Sequence, residues 1–161
     1  MGSHFNVSWF WIKRNIEEIL KIIPTLSPPI YHICSGISNI GDIRMDRSYI
    51  NLPLTGKYWN KYQGSCNVRG DMLHLPFKSA VAGSIICDPP YDYDFTDDRL
   101  ICEIVRICKP KAKIIFISPW IPSNKNISLI NIDIWKVGKN RPYVKIRSLF
   151  YKSNGQLSDY L

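Results

Sequence analysis

Ile85-Ile86-Cys87-Asp88-Pro89-Pro90-Tyr91 is the stretch whose reading decides the fold. Three apolar residues run straight into an acid, two prolines and a tyrosine. The apolar run starts near Ala82 and reads as a buried parallel strand. The prolines stop it abruptly, because neither can donate to a ladder and each fixes its own φ. Asp88 is therefore expected at a strand's carboxyl end, where open α/β sheets bind their ligands. A short acid on a rigid turn beside an aromatic face suits a flat amino group. Asp-Pro-Pro is also ordinary strand-ending turn chemistry, so the neighbouring segments have to decide between the two.

Downstream, Thr96, Asp97 and Asp98 are expected to open a helix as an N-cap with acids in the first turn. Leu100, Ile101, Ile104, Val105 and Cys108 form its apolar stripe, and Lys109-Pro110-Lys111 closes it. Residues 113–118 are expected to be the next strand, which completes a βαβ unit, with Pro119-Trp120 bordering a substrate cleft. Upstream, Ile30-Tyr31-His32-Ile33-Cys34 reads as the first sheet strand, leading into the turn Ser35-Gly36-Ile37-Ser38-Asn39-Ile40-Gly41-Asp42. Backbone can approach a nucleotide-like ligand closely in such a turn. A second strand ends at Asp46, only ten positions after Gly36, so this crossover must be little more than a turn. A short third strand ends in Gly70-Asp71, followed by a Leu75-Pro76-Phe77 turn. Ahead of the sheet, Ser8 is a plausible cap for a helix ending at Pro24, with Ile12, Ile16, Ile19, Leu20 and Ile23 at helical spacing. Residues 47–65, with Tyr49, Tyr58, Trp59 and Tyr62, read as a long packed loop or a lid. The last two strands, near 128–136 and 142–151, read as a hairpin, and the ten residues before them are too few for the usual crossover helix.

In this order of segments, Asp88-Pro89-Pro90-Tyr91 resembles the DPPY signature of the S-adenosylmethionine-dependent amino-methyltransferases, which modify exocyclic amines of nucleobases. The resemblance implies that Asp88, Pro89, Pro90 and Tyr91 form the catalytic motif, in which Asp88 and the Pro89 carbonyl accept from the target NH2 and Tyr91 stacks on a flipped-out base. It also implies that Cys34-Ser35-Gly36 is the loop around the methionine part of the cofactor, although the usual next glycine is Ser38 here. By the same resemblance Asp46 takes the ribose hydroxyls, with Asp42 as competitor. Asp71 takes the cofactor's adenine amine, flanked by Met72 and Leu73, and Asp88 borders the cofactor as well as the target. His74 has no role in direct transfer and reads as surface or packing. The resemblance covers roughly residues 30–118 and looks like a minimal member of the class without a target-recognition domain. An acid before the prolines leans toward adenine N6, or toward guanine N2 in RNA.

Composition agrees with a folded chain that meets a polyanion. Of 161 residues, 45% are hydrophobic and 21% charged, and the net charge is +8, which favours nucleic acid as partner. No apolar run approaches the ~20 residues of a membrane span, and no signal peptide is visible. The five cysteines (Cys34, Cys66, Cys87, Cys102, Cys108) contain no C-x-x-C pair for zinc, and most follow aliphatic residues as buried free thiols do. A reducing, cytoplasmic setting follows. Lys136, Lys139, Arg141, Lys145, Arg147 and Lys152 make the last hairpin basic, as a phosphate track or as edge-strand protection.

The sequence thus predicts an α/β fold: a Rossmann-like, mostly parallel, twisted sheet of about seven strands with a C-terminal β-hairpin and a reduced helix complement. It forms one domain over 1–161, with an N-terminal helix within 1–24, the cofactor and catalytic core at 30–118 and the hairpin at 128–152. The expected activity is methyl transfer from S-adenosylmethionine to adenine N6 in DNA. The alternatives are guanine N2 in RNA, or a nucleic-acid- or partner-binding protein that has lost catalysis. DNA is favoured over RNA, no membrane is involved, and a homodimer or helper subunit would compensate for the missing recognition domain.

Overall fold

The computed structural model of the chain describes residues 13–36, 38–47, 66–90, 97–135 and 145–153. Helix α1, Lys13–Ile22, runs into a 3-10 turn, Ile23–Thr25, with Pro24 early in that turn. The strands are β1 (Ile30–Ile33), β2 (Ile43–Asp46), β3 (Val68–Arg69), β4 (Ala82–Cys87), β5 (Cys108–Ser118), β6 (Ile127–Trp135) and β7 (Lys145–Lys152). Helix α2, Arg99–Ile107, links β4 to β5. The seven strands form one sheet in the order β3-β2-β1-β4-β5-β7-β6. Pairs from β3 through β5 are parallel, and β7 runs antiparallel to both β5 and β6. The expected mostly parallel sheet with a terminal hairpin and few helices is what forms.

Strand β4 is the axis of the sheet because every one of its six residues is buried. Its alternate side chains feed two cores, as the period of a strand demands. Ile85 and Cys87 pack with Ile33, Ile114, Phe116, Phe150 and the apolar stripe of α2. Ile86 packs with Ile115, Ile117 and Ile19 of α1. Burying each isoleucine fully is worth roughly 1.5–3 kcal/mol, so a strand apolar on both faces is stable only between two covering layers. Gly83 permits one close approach: a Cβ there would lie 2.3 Å from the Pro28 carbonyl oxygen.

Three local expectations need correction. Strand β5 begins at Cys108, not 113: Cys108 leaves the helix with φ −68° and ψ 136° and pairs with Ala82. Lys109-Pro110-Lys111 therefore forms a bulge within the strand, with Lys111 at φ +62°, since Pro110 ends any helix before it. At the start of α2, Asp98 holds the N-cap position but makes no side-chain cap. Asp97 Oδ1 instead accepts from the Arg99 N–H at 2.9 Å and its carboxylate also pairs with the Arg99 guanidinium. Thr96, Ser8 and the 48–65 aromatics lie outside the described residues.

The third correction concerns the basic hairpin. Strand β7 lies inside the sheet and β6 lies at its edge. Arg147 is buried and paired with Asp133 across the two strands, and the Lys152 ammonium donates to the Cys108 carbonyl at 2.7 Å. Neither cation guards an edge, because β7 is flanked by β5 on one side and β6 on the other. Lys136, Lys139 and Arg141 lie outside the described residues, as does the side chain of Lys145.

Candidate functional site

Parallel strands deliver their carboxyl ends to one edge of the sheet, and the candidate residues sit there in series. From left to right come Asp71 just beyond β3, Asp46 ending β2, Cys34-Ser35-Gly36 beyond β1, and Asp88-Pro89-Pro90 beyond β4. Hydrogen bonds tie the loops together. The Ser35 N–H donates to the Met45 carbonyl at 3.0 Å, the Gly36 N–H to Asp46 Oδ2 at 2.8 Å, and the Gly70 N–H to the Asp46 carbonyl at 3.0 Å. The Asp88 N–H approaches the Ile33 carbonyl at 3.4 Å.

The β1 loop has the character of a cradle. Cys34 and Gly36 both adopt left-handed backbone, φ +56° and +54°, and none of the described residues lies within 4 Å of where a Gly36 Cβ would stand. A non-glycine residue in that region costs roughly 1–2 kcal/mol, so Cys34 holds strain that the surrounding packing sustains. The Ser35 hydroxyl is buried and finds no hydrogen-bond partner among the described residues. Ser38, where a glycine was expected, donates its N–H to the Ser35 carbonyl at 2.9 Å and closes the turn. Ile37 lies outside the described residues.

Of the two competing acids, Asp46 stands at the carboxyl edge. Asp42 stands at the amino edge, its Oδ2 accepting from the Ile30 N–H at 2.7 Å where β1 begins. The Asp71 side chain is exposed, and the Leu73 N–H donating to its Oδ1 at 2.9 Å holds its carboxyl below the usual carboxylate range. His74 is exposed beside it, as a surface histidine would be. Asp88 and Pro89 are buried, and Pro90 is half-buried. Tyr91 lies outside the described residues.

The structure adds features that the sequence reading missed. Cys34 Sγ donates to Met72 Sδ at 3.5 Å, joining the β1 loop to the turn after Asp71. Burial pushes the Cys87 thiol well above its usual range, with neighbouring Cys34 adding to it, and burial pushes Cys108 up to about 12. Cys102, by contrast, is exposed, and all five thiols are free. Glu103 and Arg106 of α2 form an ion pair that clamps the turn following Asp71. Glu103 accepts from the Leu75 N–H at 2.8 Å, while Arg106 donates to the carbonyls of Phe77 and Leu75 at 2.8 and 3.0 Å. An acid and a base three apart on the rim of a helix gave that signal in the sequence, without a target. Arg47 and Arg69, both exposed, follow Asp46 and end β3 at this same edge. Beyond β5, where the sequence reading expects Pro119-Trp120 at a cleft, Trp120 meets Phe116 edge-on at 5.4 Å and, with Asp97 and Asp98, walls a shallow cleft one strand past Asp88. Among the described residues no group of histidine, cysteine and acidic side chains could hold a metal ion, and no helix is long and apolar enough to cross a membrane.

No family model and no curated protein matches the chain. Solved structures do resemble it. A candidate methyltransferase from Bacillus halodurans superposes with a TM-score of 0.58 at 10% identity, covering 87% of this chain and 99% of that one. An S-adenosylmethionine-dependent methyltransferase from Methanosarcina mazei gives 0.54 at 10% identity, covering 82% and 97%. A candidate methylase from Haemophilus influenzae gives 0.51 at 12% identity, covering 86% and 88%. Identities this low leave the likeness at the level of architecture. The chain has the Rossmann-like α/β fold found in S-adenosylmethionine-dependent methyltransferases.

Proposed function

We propose that the protein transfers a methyl group from S-adenosylmethionine to an exocyclic amino group of a nucleobase, adenine N6 in DNA before guanine N2 in RNA. The observation that carries this reading is the series Asp71, Asp46, Gly36, Asp88 along one sheet edge. The residues fit the cofactor. A buried serine hydroxyl without a partner and open space over a left-handed glycine, both among the described residues, suit an amino acid joined to a nucleoside, as do two carboxylates at neighbouring strand ends. Cys34, Ser35 and Gly36 would hold its methionine part, Asp46 the ribose, and Asp71 with Met72 the adenine. When bound, the cofactor supplies an electrophilic methyl group on a sulfonium.

Asp88 and the Pro89 carbonyl would accept the two N–H bonds of the target amine. That orients the nitrogen lone pair toward the donor and favours the tetrahedral nitrogen as it forms, an interaction strongest in the transition state. Burial of Asp88 strengthens such bonds by excluding water. Tyr91 would stack on the base. Arg47 and Arg69 at the same edge, in a chain of charge +8, support an anionic substrate.

The test is methyl transfer onto a panel of DNA, tRNA and rRNA followed by nucleoside mass spectrometry, with calorimetry for the cofactor. Asp88→Ala is expected to lower kcat by about 10²–10³ while cofactor affinity changes little. Wild-type turnover in that variant removes Asp88 from the chemistry. Absence of cofactor binding at millimolar concentration favours a nucleic-acid- or partner-binding protein without catalysis.

A further inference from the structure

Two thiols meet inside the candidate site. Cys87 ends β4, fully buried, and its partner across the parallel ladder is Ile33, the residue before Cys34. Successive side chains of a strand point to opposite faces, so an extended Cys34 would turn away from Cys87. The left-handed φ of +56° at Cys34 returns its side chain to the α2-side core, to which Cys87 belongs. There the Cys34 thiol is hydrogen-bonded to that of Cys87 and donates to Met72 Sδ at 3.5 Å. A spacing of about 4.8 Å between strands and a step of about 3.3 Å along one put the two Cα atoms roughly 6 Å apart. A disulfide spans roughly 4.4–6.8 Å between Cα atoms. Packing alone does not require a strained cysteine here, since glycine takes left-handed backbone at no steric cost.

We propose that Cys34 and Cys87 form a reversible disulfide under peroxide, and that closing it reshapes the loop Cys34-Ser35-Gly36. Cys34 is the half-buried member and meets the oxidant first. Its sulfur attacks the peroxide: an S–O bond forms, the O–O bond breaks, and hydroxide leaves as water with the thiol's proton. Cys87 then attacks the sulfenic sulfur: the S–S bond forms, the S–O bond breaks, and a second water leaves with the Cys87 proton. Two thiols lose two electrons and one peroxide gains them. A reducing compartment returns the pair to thiols, the state present here. A covalent bond is shorter than a contact between free thiols, so it draws Cys34 Sγ off Met72 Sδ and uncouples the β1 loop from the turn after Asp71. Weaker cofactor binding follows, and that consequence alone rests on the methyltransferase reading.

The test treats the native full chain with hydrogen peroxide, alkylates the remaining thiols and maps the cysteines by peptide mass spectrometry. The expected result is a linked Cys34–Cys87 peptide that dithiothreitol removes, with altered amide exchange at 34–36 and 71–73. Calorimetry is expected to show S-adenosylmethionine binding at least tenfold weaker after oxidation and restored by dithiothreitol. Cys87→Ala should show none of these responses to peroxide. If that variant does not fold, Cys34→Ser, at a half-buried position, is read in the same way. Oxidation of Cys34 to the sulfinic acid with Cys87 left free overturns the proposal. So does a link through the exposed Cys102 instead, or a Cys34–Cys87 link that leaves the exchange of both loops unaltered. If the reduced protein binds no cofactor, the methyltransferase reading fails, whereas the linked peptide and the exchange of the two loops still decide the disulfide.

Discussion

His32 lies on β1, its side chain 1% exposed and its Nδ1–H donating to the Ile40 carbonyl at 3.0 Å. Burial, aided by nearby Arg44 and opposed by that bond, lowers its pKa from 6.5 to about 4. The sign of the consequence follows from proton counting. Between these values the unfolded chain takes up a proton that the native state refuses, so stability falls as pH drops through this window and levels off below it. The loss between about pH 7.5 and pH 5 is expected to be about 2 kcal/mol from this group. Urea unfolding at the two pH values measures it, and His32→Asn should flatten the difference. An unchanged difference in that variant assigns the pH response to other groups. The strand-end positions of the candidate residues were legible at this scale where turn chemistry marks them, as at Asp88-Pro89-Pro90 and Gly36. The strained φ of Cys34 was not, because nothing in a cysteine's side chain announces a left-handed backbone.

Helix α2 does more than link β4 to β5. Its inner stripe fills the core, and its Glu103–Arg106 pair holds the turn that presents Asp71. Arg106→Ala removes charge-assisted bonds to two carbonyls and leaves Glu103 to the Leu75 N–H alone. We expect about 1.5 kcal/mol of destabilisation and a several-fold weaker hold on any ligand of Asp71, measured by denaturant unfolding and calorimetry. Unaltered ligand affinity with lowered stability would confine the clamp to a structural role. The helix itself was plain from its periodicity, while its ends were not. Cys108 fits the apolar stripe of α2 as well as it fits a buried strand, and only its pairing with Ala82 assigns it to β5.

At the scale of the molecule, the charge of +8 is distributed so that the carboxyl edge keeps exposed arginines while β7 buries Arg147. If the edge meets nucleic acid, Arg47→Ala/Arg69→Ala should reduce the slope of log affinity against log salt by about 2, since each phosphate left unneutralised takes roughly 0.9 from it. An unaltered slope would move the anionic partner to another surface. The same distribution leaves the edge strand β6 without a cation, where the basic hairpin offered either a phosphate track or edge protection. A count of basic residues along the hairpin could not show this, because it does not say which of two strands lies outside.

By itself the sequence determined the fold class, the strands and the succession of strand-end acids. Burial on both faces writes itself as unbroken apolar runs, and turns need particular residues. Only the tertiary structure decided what lies beside what. It placed β7 between β5 and β6, put Asp42 at the opposite edge from Asp46, and brought Cys34 to Met72 and Glu103 to Leu75. Periodicity encodes how deeply a residue is buried, whereas its neighbours depend on the packing of segments far apart along the chain.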